Sequence, residues 1–216
     1  MCWQYVREEF QISKDIVEQI EVKTCGQASS DLWHILHNGR LTSHRFGEIL
    51  RRRETTDPSR LVKAIMGYGG GVKGLPPAIR WVRDNERKAH DLYVQDRKEK
   101  GEIMHIRDSG LTLLEEKSFL GAGASSDSII TCANADLNVV GFLEVKCAFS
   151  MDGESVVNLT PNEIADKFGK KFCLQKGDDG ELHLSTDHMY YAKVQGELNI
   201  LGVDWCDLLF ILVTLW

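Results

Sequence analysis

Apolar positions recur at helical spacing over the first hundred residues and at alternating spacing after residue 103. Residues 13–22 (SKDIVEQIEV) predict a short helix opened by Ser13. The polar run Gly26-Gln27-Ala28-Ser29-Ser30-Asp31 offers caps for a second helix entering at Leu32-Trp33. Leu41-Thr42-Ser43 begins a third, amphipathic segment with Phe46, Ile49 and Leu50 on one face, and Gly67 to Gly71 reads as a flexible loop. Pro76-Pro77 predicts the start of a long helix reaching about Lys100, since proline is tolerated in a first turn and not later.

Beyond it the segments IMHIRDSGLTLL, FLGAGASSDSIITC and VVGFLEVKCAF predict three strands, none containing proline. Thr160-Pro161-Asn162-Glu163 starts a short helix. KFCLQKGDDGELHLS predicts a hairpin turning at Gly177-Asp178-Asp179-Gly180. His188 to Ile200 is a helix and WCDLLFILV a final strand. Helices, strands, a helix and a strand in one chain of 216 residues predict a single α/β (α+β) domain.

The charge distribution changes the picture. The net charge of −6 speaks against a nucleic-acid partner only as an average. Residues 40–107 hold 16 Lys/Arg against 9 Asp/Glu, whereas residues 108–216 hold 7 against 17. A basic block in an acidic chain predicts one anion-binding face. The six cysteines show no C-x-x-C pair and no metal-ligand spacing, as expected of thiols in a reducing compartment. The start lacks a signal-peptide core and the longest apolar run falls short of a membrane span. An intracellular protein, nuclear or cytoplasmic and not secreted, is expected.

Four polar features interrupt apolar faces. On the long helix Ile79, Val82, Ala89 and Tyr93 trace a stripe whose vacant inward position is Glu86. In Val139 to Cys147, alternation puts Glu144 and Lys146 on one face and Leu143, Val145 and Cys147 on the other, within a strand apolar enough to be central. Asp127, in the preceding strand-turn element, is close enough in sequence for antiparallel pairing to bring it beside Glu144. Two carboxylates and a backbone carbonyl, such as that of Val145, suit Mg²⁺ or Mn²⁺. Finally, the helix HMYYAKVQGEL turns Tyr191, Val194 and Leu198 inward and carries Gln195 beside them. Each residue also has a plain alternative: a surface ion pair for Glu86 or Glu144–Lys146, a turn-stabilising Asp127, a satisfied core amide at Gln195, and a solvated face for the arginines.

In order along the chain, GQASSDLWHILHNGRLTSHRFGEIL, WVRDNERKA, LGAGASSDS, GFLEVKCA and HMYYAKVQGELNILGVDWCD resemble the YqaJ-type viral recombinase family. These proteins are relatives of lambda exonuclease within the PD-(D/E)XK nucleases. The resemblance implies a restriction-endonuclease-like core, with a central mixed β-sheet flanked by helices, and a single nuclease domain over residues 1–216. Residues 1–100 would be its helical, DNA-contacting part and residues 103–216 its catalytic sheet and helix. It implies a site of Glu86, Asp127, Glu144, Lys146 and Gln195, with Mg²⁺ (or Mn²⁺) held by Asp127, Glu144, the Val145 carbonyl and Glu86. Arg40, Thr42, Ser43, Arg45, Arg51, Arg52, Arg53 and Arg60 would contact DNA.

Two departures stand out. The family's Ser-Pro-Asp-Gly turn is Ser125-Ser126-Asp127-Ser128 here, and the family's phosphate-gripping arginine is replaced by His37. Relatives also continue past Trp205-Cys206-Asp207 into more polar sequence, so a missing or altered C-terminal end is expected. The implied activity is a metal-dependent deoxyribonuclease, a 5′-to-3′ exonuclease on duplex ends serving recombination or repair. Implied partners are double-stranded DNA, a ring-shaped homotrimer and a single-strand annealing protein, with no membrane. The alternatives are a DNA-binding remnant of weakened catalysis and an interaction module for a recombination partner.

Overall fold

The computed structural model describes residues 12–68, 77–114, 122–134, 137–147, 150–151, 153–156 and 158–211. In chain order the helices are α1 (Lys14–Lys23), α2 (Asp31–His37), α3 (Phe46–Leu50), α4 (Ser59–Ile65), α5 (Pro77–Glu99), α6 (Pro161–Phe168) and α7 (Met189–Leu201). The strands are β1 (Leu41–Thr42), β2 (Met104–Asp108), β3 (Thr112–Leu113), β4 (Ala122–Ala124), β5 (Ser128–Asn134), β6 (Leu137–Cys147), β7 (Ser150–Met151), β8 (Glu154–Ser155), β9 (Leu174–Lys176), β10 (Leu182–Leu184) and β11 (Cys206–Ile211).

A mixed four-stranded sheet in the order β11-β6-β5-β2 organises the molecule. Strand β11 runs parallel to β6, while β5 is antiparallel to both β6 and β2. The strand predicted to be central, β6, has a neighbour on each side. Its alternation gives each face its own helix. Leu143 and Val145 pack with Ile130 against Ala89 and Tyr93 of α5, whereas Phe142 packs with Ile129 against Val194 of α7. Helix α5 is pinned to the sheet edge by Asp207 of β11, which accepts from the Tyr93 hydroxyl at 2.5 Å and from Arg97 at 2.6 Å. Gly141 leaves room on β6 for the Trp205 indole, which lies 2.2 Å from where a Cβ would stand.

A smaller sheet, β1-β4-β3, sits under α1, with Val17, Leu111 and Leu113 forming its own core. Thr160 and Glu163 close a reciprocal capping box on α6, which packs with Val156, Phe172 and Cys173 beside the β9–β10 hairpin.

Some expectations need correction. Ser13 stands at the N-cap of α1, but its side chain makes no capping bond; Ser30 caps α2 by accepting from Trp33 N–H. The amphipathic segment breaks into strand β1, one 3₁₀ turn and the short α3, and Leu50 is exposed instead of packed. Helix α4 lacks a buried residue, so no apolar stripe announced it. Leucine 198 is half-buried on α7, and Glu197 occupies a fully buried position that the pattern had not assigned. The side chains of Ile79 and Val82, Gly69–Gly71, and the chain after Ile211 lie outside the described residues.

Candidate active site

The site forms where the turn into β5 meets the middle of β6. Asp127 precedes β5, and Ser128 pairs with Leu143, so the antiparallel register brings Asp127 to Glu144. The Val145 N–H donates to Asp127 Oδ2. Glu144 is fully buried. One oxygen, Oε1, takes the ammoniums of both Lys146 and Lys193, while Oε2 has no hydrogen-bond partner. Lys146 also donates to the Val145 carbonyl at 3.1 Å and lies 5.2 Å from the centre of the Tyr190 ring.

Burial raises Asp127 well above the ordinary carboxylate range, and the charge of Glu144 adds to it. Burial would raise Glu144 as well, but Lys193 and Lys146 outweigh it and hold that carboxyl below its usual value. Glu86, on α5, is half-buried and near enough for its charge to add to the rise at Asp127. Carboxylates so crowded, one with a buried oxygen lacking a partner, fit a hard divalent cation bound through Asp127 and Glu144.

Two residues that the sequence reading overlooked complete the cluster. Lys193 and Glu197, one turn apart on α7, are 3.6 Å apart, and Ser43 donates to Glu197 Oε1 at 2.9 Å. Burial raises Glu197 to about 7, against the opposing pull of Lys193. An i, i+4 Lys-Glu pair is the available sequence signal, but that spacing usually marks a solvated helix face. Gln195, by contrast, is not brought to the carboxylates. It is exposed and lines a separate apolar cavity of about 600 Å³ with Phe46, Leu114, Tyr191 and Ile200.

The basic block divides. The segment 41–50 lies across α7, where Gly47 meets Met189 and Gly196 meets Phe46 without room for a Cβ at either glycine. Thr42 and Ser43 are buried, Thr42 bonding His44 Nδ1 at 2.8 Å and Ser43 bonding Glu197, so both hydroxyls are directed inward. Arg40 is half-buried and Arg45 pairs with Glu48 at 2.7 Å. Arg51, Arg52, Arg53 and Arg60 are exposed, with Arg52 donating to the Arg53 and Thr56 carbonyls. His37 stacks on Trp33 with ring centres 3.6 Å apart, and its Nδ1 bonds the Trp33 carbonyl.

Trp33 and Gln27 brace the Asp127 turn. Trp33 Nε1 donates to Ser125 Oγ at 2.9 Å, and the Gln27 amide donates to the carbonyls of Ser126 at 2.7 Å and Ser109 at 3.0 Å. Ser126 and Ser128 thus stand where a proline and a glycine would shape the turn, and the N-terminal segment supplies the contacts instead.

The YqaJ-like viral recombinase domain matches residues 32–203, which include every one of these site residues except Gln27. The chain belongs to the YqaJ-like viral recombinase family. Among solved structures it resembles LHK-Exo in complex with dAMP, at 19% identity and a TM-score of 0.50, covering 84% of this chain and 73% of that one. The same figures for identity and coverage hold for the alkaline exonuclease LHK-Exo from Laribacter hongkongensis, with a TM-score of 0.49. The fold of this family member is therefore that of exonucleases of the restriction-endonuclease-like type. A search of curated proteins finds no significant match. Among the described residues no helix is long and apolar enough to cross a membrane.

Proposed function

We propose that this protein is a divalent-metal-dependent deoxyribonuclease that degrades duplex DNA from its ends in the 5′-to-3′ direction, in viral-type recombination or repair. The observation that carries this reading is Asp127 and Glu144 converging on one buried spot with Lys146 beside them. Its placement within a viral recombinase domain supports it, as does the likeness of the fold to an exonuclease.

Asp127 and Glu144 would hold Mg²⁺ or Mn²⁺ with the Val145 carbonyl, and Glu86, whose charge is felt at Asp127, would have to turn toward the ion to join them. When bound, that ion lowers the pKa of a water and neutralises charge building on the phosphate. The residues of the chain do the remainder. Lys146, fixed between Glu144 and the Val145 carbonyl, orients the attacking water and faces the developing negative charge. Glu144, held ionised by two ammoniums, stays available as a ligand at neutral pH. Arg40, Arg45, Arg51, Arg52, Arg53 and Arg60 would track the phosphate backbone. Binding through them would weaken steeply with salt.

The test is release of mononucleotides from end-labelled duplex with and without Mg²⁺. Mg²⁺-dependent release that is lost in Glu144→Gln and Lys146→Ala, with DNA still bound, supports the assignment. Retention of DNA without cleavage points instead to a binding remnant, and salt-insensitive or absent DNA binding to a protein-interaction module.

A further inference from the structure

Lys193 enters the reading above only as one of the two ammoniums on Glu144, yet it lies at the centre of the charged cluster. Its ammonium is paired with Glu144 Oε1 and stands 3.6 Å from Glu197 Oε1, joining two carboxylates that are both fully buried. Each carboxylate keeps a second oxygen, Oε2, with no partner. Ser43 donates to the same Glu197 oxygen, Oε1, so the second carboxylate is held in place by the segment that carries the basic block. Bridging two buried carboxylates, one of them already a ligand candidate for a first ion, is the role of the second cation in a two-metal site.

We propose that Lys193 is a resident cation that takes the place of a second divalent ion between Glu144 and Glu197, so that this protein works with a single bound metal. The place is already taken: an ion bridging Glu144 and Glu197 would have to share their oxygens with the Lys193 ammonium, bringing like charges together in a buried site, which is costly. An ammonium permanently tethered on α7 supplies positive charge beside the reacting phosphate, without the loss and rebinding to which a second ion is subject.

This inference rests on the reading of Asp127 and Glu144 as metal ligands, and the experiment separates the two. Manganese binding to the full chain is counted by calorimetry, with electron paramagnetic resonance to detect spin coupling between ions about 3.5–4 Å apart. The wild type should bind one ion with an uncoupled spectrum. Lys193→Gln, and independently Lys193→Met, should bind two with a coupled spectrum, and adding Glu197→Gln to either should return the count to one. Two coupled ions in the wild type would overturn the proposal while leaving the nuclease reading intact, whether or not the variants fold. A folded Lys193 variant that still binds a single ion would overturn it equally. No ion bound by the wild type would overturn the metal reading itself and this inference with it.

Discussion

Gln27 offers the sharpest test of how the Asp127 turn is held. It adopts φ 42°, in the left-handed region, and is the one non-glycine residue with positive φ among the described residues. Side chains in that region are strained by roughly 1–2 kcal/mol. The strain persists because the amide bonds the Ser109 and Ser126 carbonyls, both from fully buried residues, at 3.0 and 2.7 Å. Each such bond is worth about 0.5–1.5 kcal/mol net, so Gln27→Ala, which keeps the strain and loses the amide, should cost about 1–3 kcal/mol. Gln27→Gly loses the same bonds but sheds the strain, at an entropic cost of about 0.5–1 kcal/mol. It should therefore be more stable than the alanine variant by up to about 1.5 kcal/mol, a reversal of the usual order of these two residues. Urea unfolding of the metal-free proteins measures both differences. With a slope of about 1–3 kcal/mol/M, the alanine variant's midpoint should fall by on the order of 1 M. Because the brace acts on the Asp127 turn, both variants should also bind Mn²⁺ more weakly. An alanine variant as stable as the wild type would refute the brace, and a glycine variant less stable than the alanine one would refute the strain.

Other expectations follow from the same contacts. Gly141→Ala would push a Cβ to 2.2 Å from the Trp205 ring in the central strand, so it should destabilise by about 1–3 kcal/mol. Shrinking the neighbour in Gly141→Ala/Trp205→Leu should recover part of that loss in thermal unfolding. Asp127, whose folded pKa is raised, holds a proton that the unfolded chain has already released above about pH 4. Stability of the metal-free protein attributable to Asp127 is therefore present at low pH and lost as pH rises through the raised value. Metal binding needs the carboxylate, so apparent Mn²⁺ affinity should climb by up to about tenfold per pH unit and then level off above that value. A calorimetric affinity independent of pH from 5 to 8 would contradict the crowding of Asp127 and Glu144. Tyr93→Phe, which removes the hydroxyl donor to Asp207, should cost about 1–2 kcal/mol in the same unfolding assay.

Much of this architecture was written in local pattern. Pro77 opens α5 as expected of a first-turn proline, and the alternation through Glu144, Val145 and Lys146 puts one residue set against α5 and the other toward α7. Asp127 and Glu144 were findable because strand pairing converts a short sequence separation into contact. What escaped notice depended on helix phase and on tertiary choice. On α7, hydrophobic spacing suggested that Gln195 travels with the inward residues, yet Gln195 lies about 200° around the axis from Lys193, and the face turned to Glu144 carries Lys193 and Glu197. Burying two charged side chains there is tolerable only because each finds a partner across the fold, which no single-segment pattern encodes. Ser43 shows the same limit. In sequence it belongs to a basic, polar stretch that suits phosphate, and in the structure its hydroxyl is committed to Glu197. The departure at Ser126 and Ser128 likewise acquires meaning only once Gln27 and Trp33 arrive from the N-terminal segment.

The central claim is that Asp127 and Glu144 form a divalent-cation site for DNA hydrolysis. A crystal soaked in Mn²⁺, with anomalous scattering recorded, tests it most directly. The expected result is a single anomalous peak between Asp127 and Glu144, with carboxylate oxygens about 2.0–2.3 Å from the ion. Saturating Mn²⁺ that leaves the space between those two carboxylates without a peak would contradict it.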